Sequence, residues 1–412
     1  VASSYVQASA EEPDADETPL GAESESIGEE TENDLGQKEI DYSDVVLAPS
    51  DWTVETVLSQ LAQGAFELSP NFQRRNAWTV QRKSKFIESL ILGLPIPQIT
   101  LAESEDQDGE IRYIVIDGKQ RMLTLKSFFD ENEPLRLAGL AVLDDLNGRT
   151  RDELMDSPVT AKAIRRLNNR TIRTVVIRKW PSDDFLHLVF HRINHQTLSL
   201  SAQELRQALY PGPFTSFADT FAAESVELHQ MLGASQQPDF RMRDVELLVR
   251  HLAMRNFLAE YAGNLKKFLD DACDRLNSSW SKQEGMIREQ AAACVRSIAV
   301  TNSIFGEASF RRFDRDRWET RFNRAVFDVM SYYFSLDEVV QAVDAEQAPL
   351  IKAEFADLSA NDPKFRDSVQ STTKTVGATV YRLEAWGDRL EQLLGLALPV
   401  PRLAADQRTI RL

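Results

Sequence analysis

Apolar residues follow two regimes along this chain. Between Val54 and Ile177, short blocks of helical spacing alternate with short β-branched runs, whereas beyond Ser182 helical spacing continues to the end. Val54, Val57, Leu58 and Leu61 form a first stripe, capped by Asp51 or Thr53 and ended by Gly64, and an extended link from Phe66 to Pro70 follows. Phe86, Ile87, Leu90 and Ile91 form a second stripe between Thr79 and Gly93. Leu94-Pro95-Ile96-Pro97 then forces extended backbone, because proline fixes its own φ and restricts its predecessor. A strand at 98–102 is the natural continuation. Ile111–Ile116 is rich in β-branched and aromatic residues and predicts another strand, with Met122, Leu125 and Phe129 opening a helix behind it. Ile172–Ile177 reads as a further strand.

In the second regime Phe185, Leu188, Val189 and Ile193 share one face, and Ser201-Ala202-Gln203-Glu204 is a capping box. Val245, Leu248, Val249 and Leu252 mark a clear stripe, and further helices are expected near 264–276, 284–303, 316–334 and 376–394. The fold class expected is α+β, with a small α/β domain over 47–180 and a larger all-helical domain over 181–412.

Composition adds a third part. At 412 residues and 42% hydrophobic content the chain can bury a sizeable core. The net charge of −17 is unevenly spread: residues 1–45 hold fourteen acids against the single base Lys38, a net of −13, which leaves −4 for the rest. So acidic a segment cannot bury a core, and residues 1–46 are expected to be a disordered tail, a plain solvated extension in the first place, with DNA mimicry or the screening of a basic groove as alternatives. No apolar run approaches the roughly 18–20 residues that span a bilayer, and the first residues lack a secretory pattern, so a cytoplasmic protein is expected. Cys273 and Cys294 are too few for a disulfide scaffold or a four-cysteine zinc site and fit small core residues in a reducing compartment.

Candidate chemistry gathers at one strand-to-helix junction, Asp117-Gly118-Lys119-Gln120-Arg121. A helix start presents backbone N–H groups and the positive end of its dipole to an anion, and glycine lets the backbone approach closely. Lys119 and Arg121 add charge, while Gln120 or Asp117 would position a water or a phosphate oxygen; an ordinary turn with solvated cations is the competing reading. From Ser157 to Ser182 the chain has seven bases and no acid. Lys162, Arg165, Arg166 and Arg170 of that run could converge on a phosphate backbone or pair with distant acids. His187, His191 and His195 lie four residues apart, as metal ligands on one helix face often do, but packing or surface histidines account for them better. The arginine-rich stretch 310–324 reads as salt-bridged helix surface, with DNA contact as the alternative. No GxxxxGK[ST] loop is present, which disfavours P-loop chemistry.

Four blocks in order, FQRRNAW (72–78), FIESLILGLPIPQITL (86–101), IDGKQRMLTLKSFF (116–129) and FHRINHQTLSLSAQELRQAL (190–209), together resemble the N-terminal domain of the GmrSD-type restriction endonucleases. The resemblance runs from about residue 50 to 210 and is weaker at 241–258. It implies a ParB and sulfiredoxin-like fold and a nucleotide-handling role in bacterial defence, with a DGQQR-type motif that binds or hydrolyses nucleoside triphosphates. Asp117, Gly118, Gln120 and Arg121 match that motif, whereas Lys119 stands where the family usually has glutamine. Lysine keeps donors but loses the amide's acceptor, which favours anion binding over hydrolysis. Gln73, Arg74, Arg75 and Trp78 fall in the FQRRNAW block and are expected at the same nucleotide pocket, although for Trp78 bracing the core is the favoured reading. Asn194 matches a family position and is read as a structural amide.

Glu88 and Asp117 are the candidates for a Mg²⁺ that accompanies the nucleotide, since hard oxygen ligands suit it, although Glu88 also fits a solvated helix-face charge. Many relatives carry a C-terminal HNH-type nuclease, of which the five histidines here give no sign, and sulfiredoxin chemistry lacks its cysteine in the first domain. The expectation is therefore a nucleoside triphosphate-binding protein, either hydrolysing or not. The alternatives are a nucleic-acid-binding module or nickase using 162–179, and a non-enzymatic scaffold that recruits a separate nuclease or methylase subunit.

Overall fold

The structure, a computed structural model, describes residues 43–66, 78–105, 109–193, 201–233, 238–314, 316–370, 373–406 and 408–412. The first part runs β1 (Val46–Thr53), α1 (Val54–Ala62), α2 (Val80–Leu92), β2 (Ile99–Glu105), β3 (Ile111–Asp117), α3 (Lys119–Phe129), α4 (Arg151–Met155), α5 (Pro158–Asn168), β4 (Thr171–Arg178), α6 (Asp183–Ile193) and α7 (Ala202–Leu209). Thr53 and Thr79 cap α1 and α2 as their sequence predicts, and Gly93 closes α2 in the left-handed region. The expected strands all form. β1 is an addition: its apolar alternation is broken by Pro49 and Asp51, and it exists because it pairs antiparallel with β4 along its whole length, from Val46 opposite Arg178 to Thr53 opposite Thr171. Proline is tolerated there because β1 is an edge strand.

The sheet order is β1-β4-β2-β3, antiparallel except where β2 runs parallel to β4. Alternation along the strands separates two cores. Leu101, Val115, Ile172 and Val176 pack with Val54, Ile87, Met122 and Ile164 on one face, against α1, α2, α3 and α5. Ala102, Ile114, Ile116 and Ile177 face the other way, onto Phe185, Leu186 and Phe190 of α6 and Leu205 of α7. Burial on both faces accounts for the consecutive apolar residues at the centres of these strands, Leu101–Ala102 of β2, Ile114–Ile116 of β3 and Val175–Ile177 of β4. The layer that covers the second face lies beyond residue 180.

The larger part is helical: α8 (Pro213–Glu224), α9 (Val226–Met231), α10 (Arg243–Phe257), α11 (Leu265–Phe305), the hairpin β5 (Phe313–Asp314) and β6 (Arg317–Trp318), α12 (Arg324–Phe334), α13 (Asp337–Ala342), α14 (Gln347–Asn361), α15 (Pro363–Gln370), α16 (Val376–Leu394), and the short pair β7 (Arg402–Leu403) and β8 (Ile410–Arg411). Cys273 and Cys294 are both buried in its core, as expected.

Two segments depart from what their sequence pattern predicts. The segments 264–276 and 284–303 are one helix of 41 residues, because backbone hydrogen bonding continues through a polar middle whose side chains are mostly exposed. The stretch 310–324 is a small hairpin, not a helix, with Arg312 paired to Glu319 across it and Phe313 edge-on to Trp318 at 5.2 Å. Among the described residues, no helix is long and apolar enough to cross a membrane.

Candidate functional site

β3 carries Asp117 to the rim of the sheet, and Gly118 turns the chain into α3. Gly118 has φ +108°, and a Cβ there would lie 2.9 Å from Ile99 Cγ1, so both the turn and its contact with β2 demand glycine. It offers no side chain to cap α3. One helical turn on, the buried Arg121 donates Nη2 to Asp117 Oδ2 at 2.7 Å and Nη1 to the Pro97 carbonyl at 2.7 Å. The guanidinium thus braces the turn against the proline segment. Lys119 points the other way, its ammonium paired with Glu204 Oε1 in α7, and both side chains are largely buried. Glu204 Oε2 meanwhile accepts from the Ser201 N–H at 2.7 Å and completes the predicted capping box. The cap is encoded locally in the sequence, whereas the ion pair is not, because its two residues are 85 positions apart. Gln120 is half-buried, and its carbonyl accepts from Thr124 Oγ1 at 2.7 Å.

The basic run builds a second feature. On α5, Ala161, Ile164 and Leu167 face the core, which leaves Lys162, Arg165, Arg166 and Asn169 on the opposite side. Together with Arg170, Thr171 and Arg173 at the start of β4, and Asp51 of β1, they line an open cleft of about 760 Å³. Lys162, Arg165, Arg166 and Arg173 are exposed, and among the described residues no ion pair engages them. Arg170 differs: it is half-buried and donates Nη2 to the Gly93 carbonyl, so it ties β4 to the end of α2. Asp51 reaches this cleft on β1, which carries no sequence signature of a strand, and Asn169 and Thr171 reach it at the junction of α5 and β4.

Other candidates take structural posts. Trp78 packs edge-on to Phe86 at 5.7 Å under the Arg82 guanidinium, against the first core. Glu88 is buried, and its Oε1 accepts from the Val142 and Leu143 N–H groups at 2.9 and 2.8 Å, which corrects the picture of a solvated helix-face charge. His187 is fully buried on α6. Gln73, Arg74, Arg75, Asn194, His195 and the side chain of His191 lie outside the described residues, as does the acidic segment 1–42. Among the described residues, no group of three or more His, Cys, Asp or Glu is placed to hold a metal ion.

Between α6, α7 and α11 the contact is ionic, buried at Arg206, Lys266 and Asp270 and open to solvent at Asp184. Arg206 Nε donates to Asp270 Oδ1 at 2.7 Å, and Lys266 bridges Asp270 and Asp184 at 2.9 and 3.0 Å. Tyr210 completes it by donating its hydroxyl to Asp183 at 2.8 Å. The layer over the sheet is thereby fastened to the long helix.

Compared with known families, residues 54–211 match the GmrSD restriction endonuclease, N-terminal domain. No match to the chain was found among curated proteins. The matched span opens with α1 and closes just after α7, so it takes in the sheet's helical cover on both faces. Residues 54–211 of this chain are therefore similar to the N-terminal domain of the GmrSD restriction endonucleases.

Proposed function

We propose that this protein of a restriction-type system engages nucleic acid, and that the cleft between α5 and the β1–β4 edge holds the phosphate backbone. The observation that supports this is the set of four exposed cations, Lys162, Arg165, Arg166 and Arg173, converging on one open cleft without ion-pair partners among the described residues. An arginine presents its planar fork to phosphate oxygens, and a row of such groups binds without reading sequence. Affinity would then fall with salt, by a slope of about 0.9 per phosphate contacted on duplex DNA. The test is duplex binding across a salt series for the wild type and for Arg165→Glu with Arg166→Glu. Charge reversal is expected to weaken binding more than tenfold at low salt and to flatten the slope by about 2. An identical slope in wild type and variant sinks the reading.

A second reading concerns nucleotide. Gly118 leaves the start of α3 without a side-chain cap, beside Lys119 and Arg121, and this favours a phosphate at the turn. Because Glu204 holds Lys119, an entering phosphate would have to displace that carboxylate. A Mg²⁺ brought with the nucleotide would meet Asp117, whose Oδ2 is already held by Arg121. Melting of wild type and Glu204→Gln with nucleoside triphosphates, with and without Mg²⁺, tests this. Wild type is expected to melt higher with ligand, and the variant higher still, since Lys119 is released. No shift in either protein, together with no turnover of triphosphate, removes nucleotide from the scheme.

A further inference from the structure

The segment between α2 and β2 displays apolar side chains to solvent and is held stiffly while it does so. Leu92 and Leu94 are 39% and 49% exposed, and Pro95 beside them is exposed as well, whereas Ile96 turns inward onto the first core. Gly93 ends α2 at φ +78°, the Leu94 N–H closes that turn on the Ser89 carbonyl at 2.9 Å, and two prolines fix φ beyond it. Two arginines then grip the segment near its ends. Arg170 donates to the Gly93 carbonyl, and Arg121 donates Nη1 to the Pro97 carbonyl at 2.7 Å. The basic run and the Asp117–Arg121 turn, far apart in sequence, thus hold one and the same segment.

Scattered surface leucines need no explanation, but a braced apolar tip beside a charged cleft does. The two adjoin: Arg170 lines the cleft, and a Cβ on Gly93 would lie 3.1 Å from its Nη1. Leu92 and Leu94 therefore flank the cleft that carries Lys162, Arg165, Arg166 and Arg173. Phosphate seated on those cations offers nothing to a leucine side chain. What lies beside phosphate in a duplex does, because base faces are apolar, and proteins that kink DNA insert leucine or proline between base steps while cations hold the backbone. A tip already fixed by prolines and carbonyl hydrogen bonds loses little conformational freedom on entering.

We propose that Leu92, Leu94 and Pro95 form an apolar wedge that enters duplex DNA held on the α5 cleft and unstacks a base step. This rests on nucleic-acid binding at that cleft and adds a substrate preference to it: cations alone hold any backbone, whereas a wedge favours duplex that opens readily, as at pyrimidine–purine steps. The experiment titrates the full chain into a short end-labelled duplex carrying 2-aminopurine at such a step. Anisotropy of the label reports occupancy, and 2-aminopurine emission rises when the base unstacks. Saturation with wild type is expected to raise the emission several-fold. Leu92→Ser with Leu94→Ser should bind several-fold more weakly and without the rise, yet with the same salt slope, since that slope counts phosphates. Both side chains are exposed, so the variant is expected to fold, and Leu350→Ser, at a 50% exposed position on α14, is the control that keeps the rise. Wild type that saturates the duplex with no rise overturns the wedge, leaves the cleft standing and marks the tip as a surface for a protein partner. A rise that survives in the double leucine variant overturns it too, and a wild type that binds no duplex removes cleft and wedge together.

Discussion

Glu88 holds a loop. Its carboxylate and the Ser84 hydroxyl, one turn apart on α2, accept from the backbone of Val142, Leu143 and Ala138, which fixes the connection between α3 and α4. Burial alone would raise the Glu88 pKa, but the N–H donors of Leu143 and Val142 outweigh it and hold the group below its ordinary 4.5. A depressed native pKa stabilises the fold above the unfolded value and loses that contribution as pH falls through the native one. Glu88→Ala is therefore expected to cost about 2 kcal/mol at neutral pH, the penalty of stranding buried donors. The gap from wild type should narrow progressively below pH 4.5 as the wild-type carboxylate is protonated. Denaturant unfolding of both proteins at pH 7 and in acid measures it; a gap that stays constant across that range would show that the carboxylate's charge plays no part.

At the scale of elements, what was legible in the sequence was whatever is encoded locally. Caps at Thr53, Thr79 and Ser201, the glycine stop at Gly93 and the apolar stripes of α1 and α2 each sit within a few residues of the structure they specify. The strands β2, β3 and β4 were legible because both faces are buried and their composition shows it. By contrast β1 carries no such signature and forms through its partner β4, and the middle of α11 hid its continuity because exposed residues carry no apolar period. The hairpin at 313–318 was misread because arginines alternating with acids suit a helix face and a cross-strand pair equally well. The same division runs through the candidate site. The Asp117–Arg121 turn was visible as a motif; that Arg121 braces Pro97 and that Lys119 meets Glu204 was not, since those partners lie 24 and 85 residues away.

For the whole molecule, charge is organised by segment. Residues 1–42 carry thirteen acids and one base, so removing them changes the net charge from −17 to −5. If the α5 cleft binds DNA, deleting residues 1–42 is expected to strengthen binding several-fold at low salt through reduced long-range repulsion. Near 1 M salt the difference should vanish, because the screening length falls to about 3 Å. Binding isotherms of both proteins at the two ionic strengths check this, and a gain that persists at high salt would point to a short-range contact in place of a field effect.

The sequence by itself determined the α+β class, the order and caps of most elements, the glycine-dependent turn at Gly118 and the uneven spread of charge, because each is set by neighbours along the chain. Only the tertiary structure decided which cations stay available. It set Arg121 on Asp117 and Pro97, Lys119 on Glu204, and Arg250 and Arg382 on one Asp328, while leaving Lys162, Arg165, Arg166 and Arg173 on an open cleft. The reason is physical: a guanidinium or ammonium group is assigned by whichever carboxylate or carbonyl the fold brings within about 3 Å, and no local pattern records that distance.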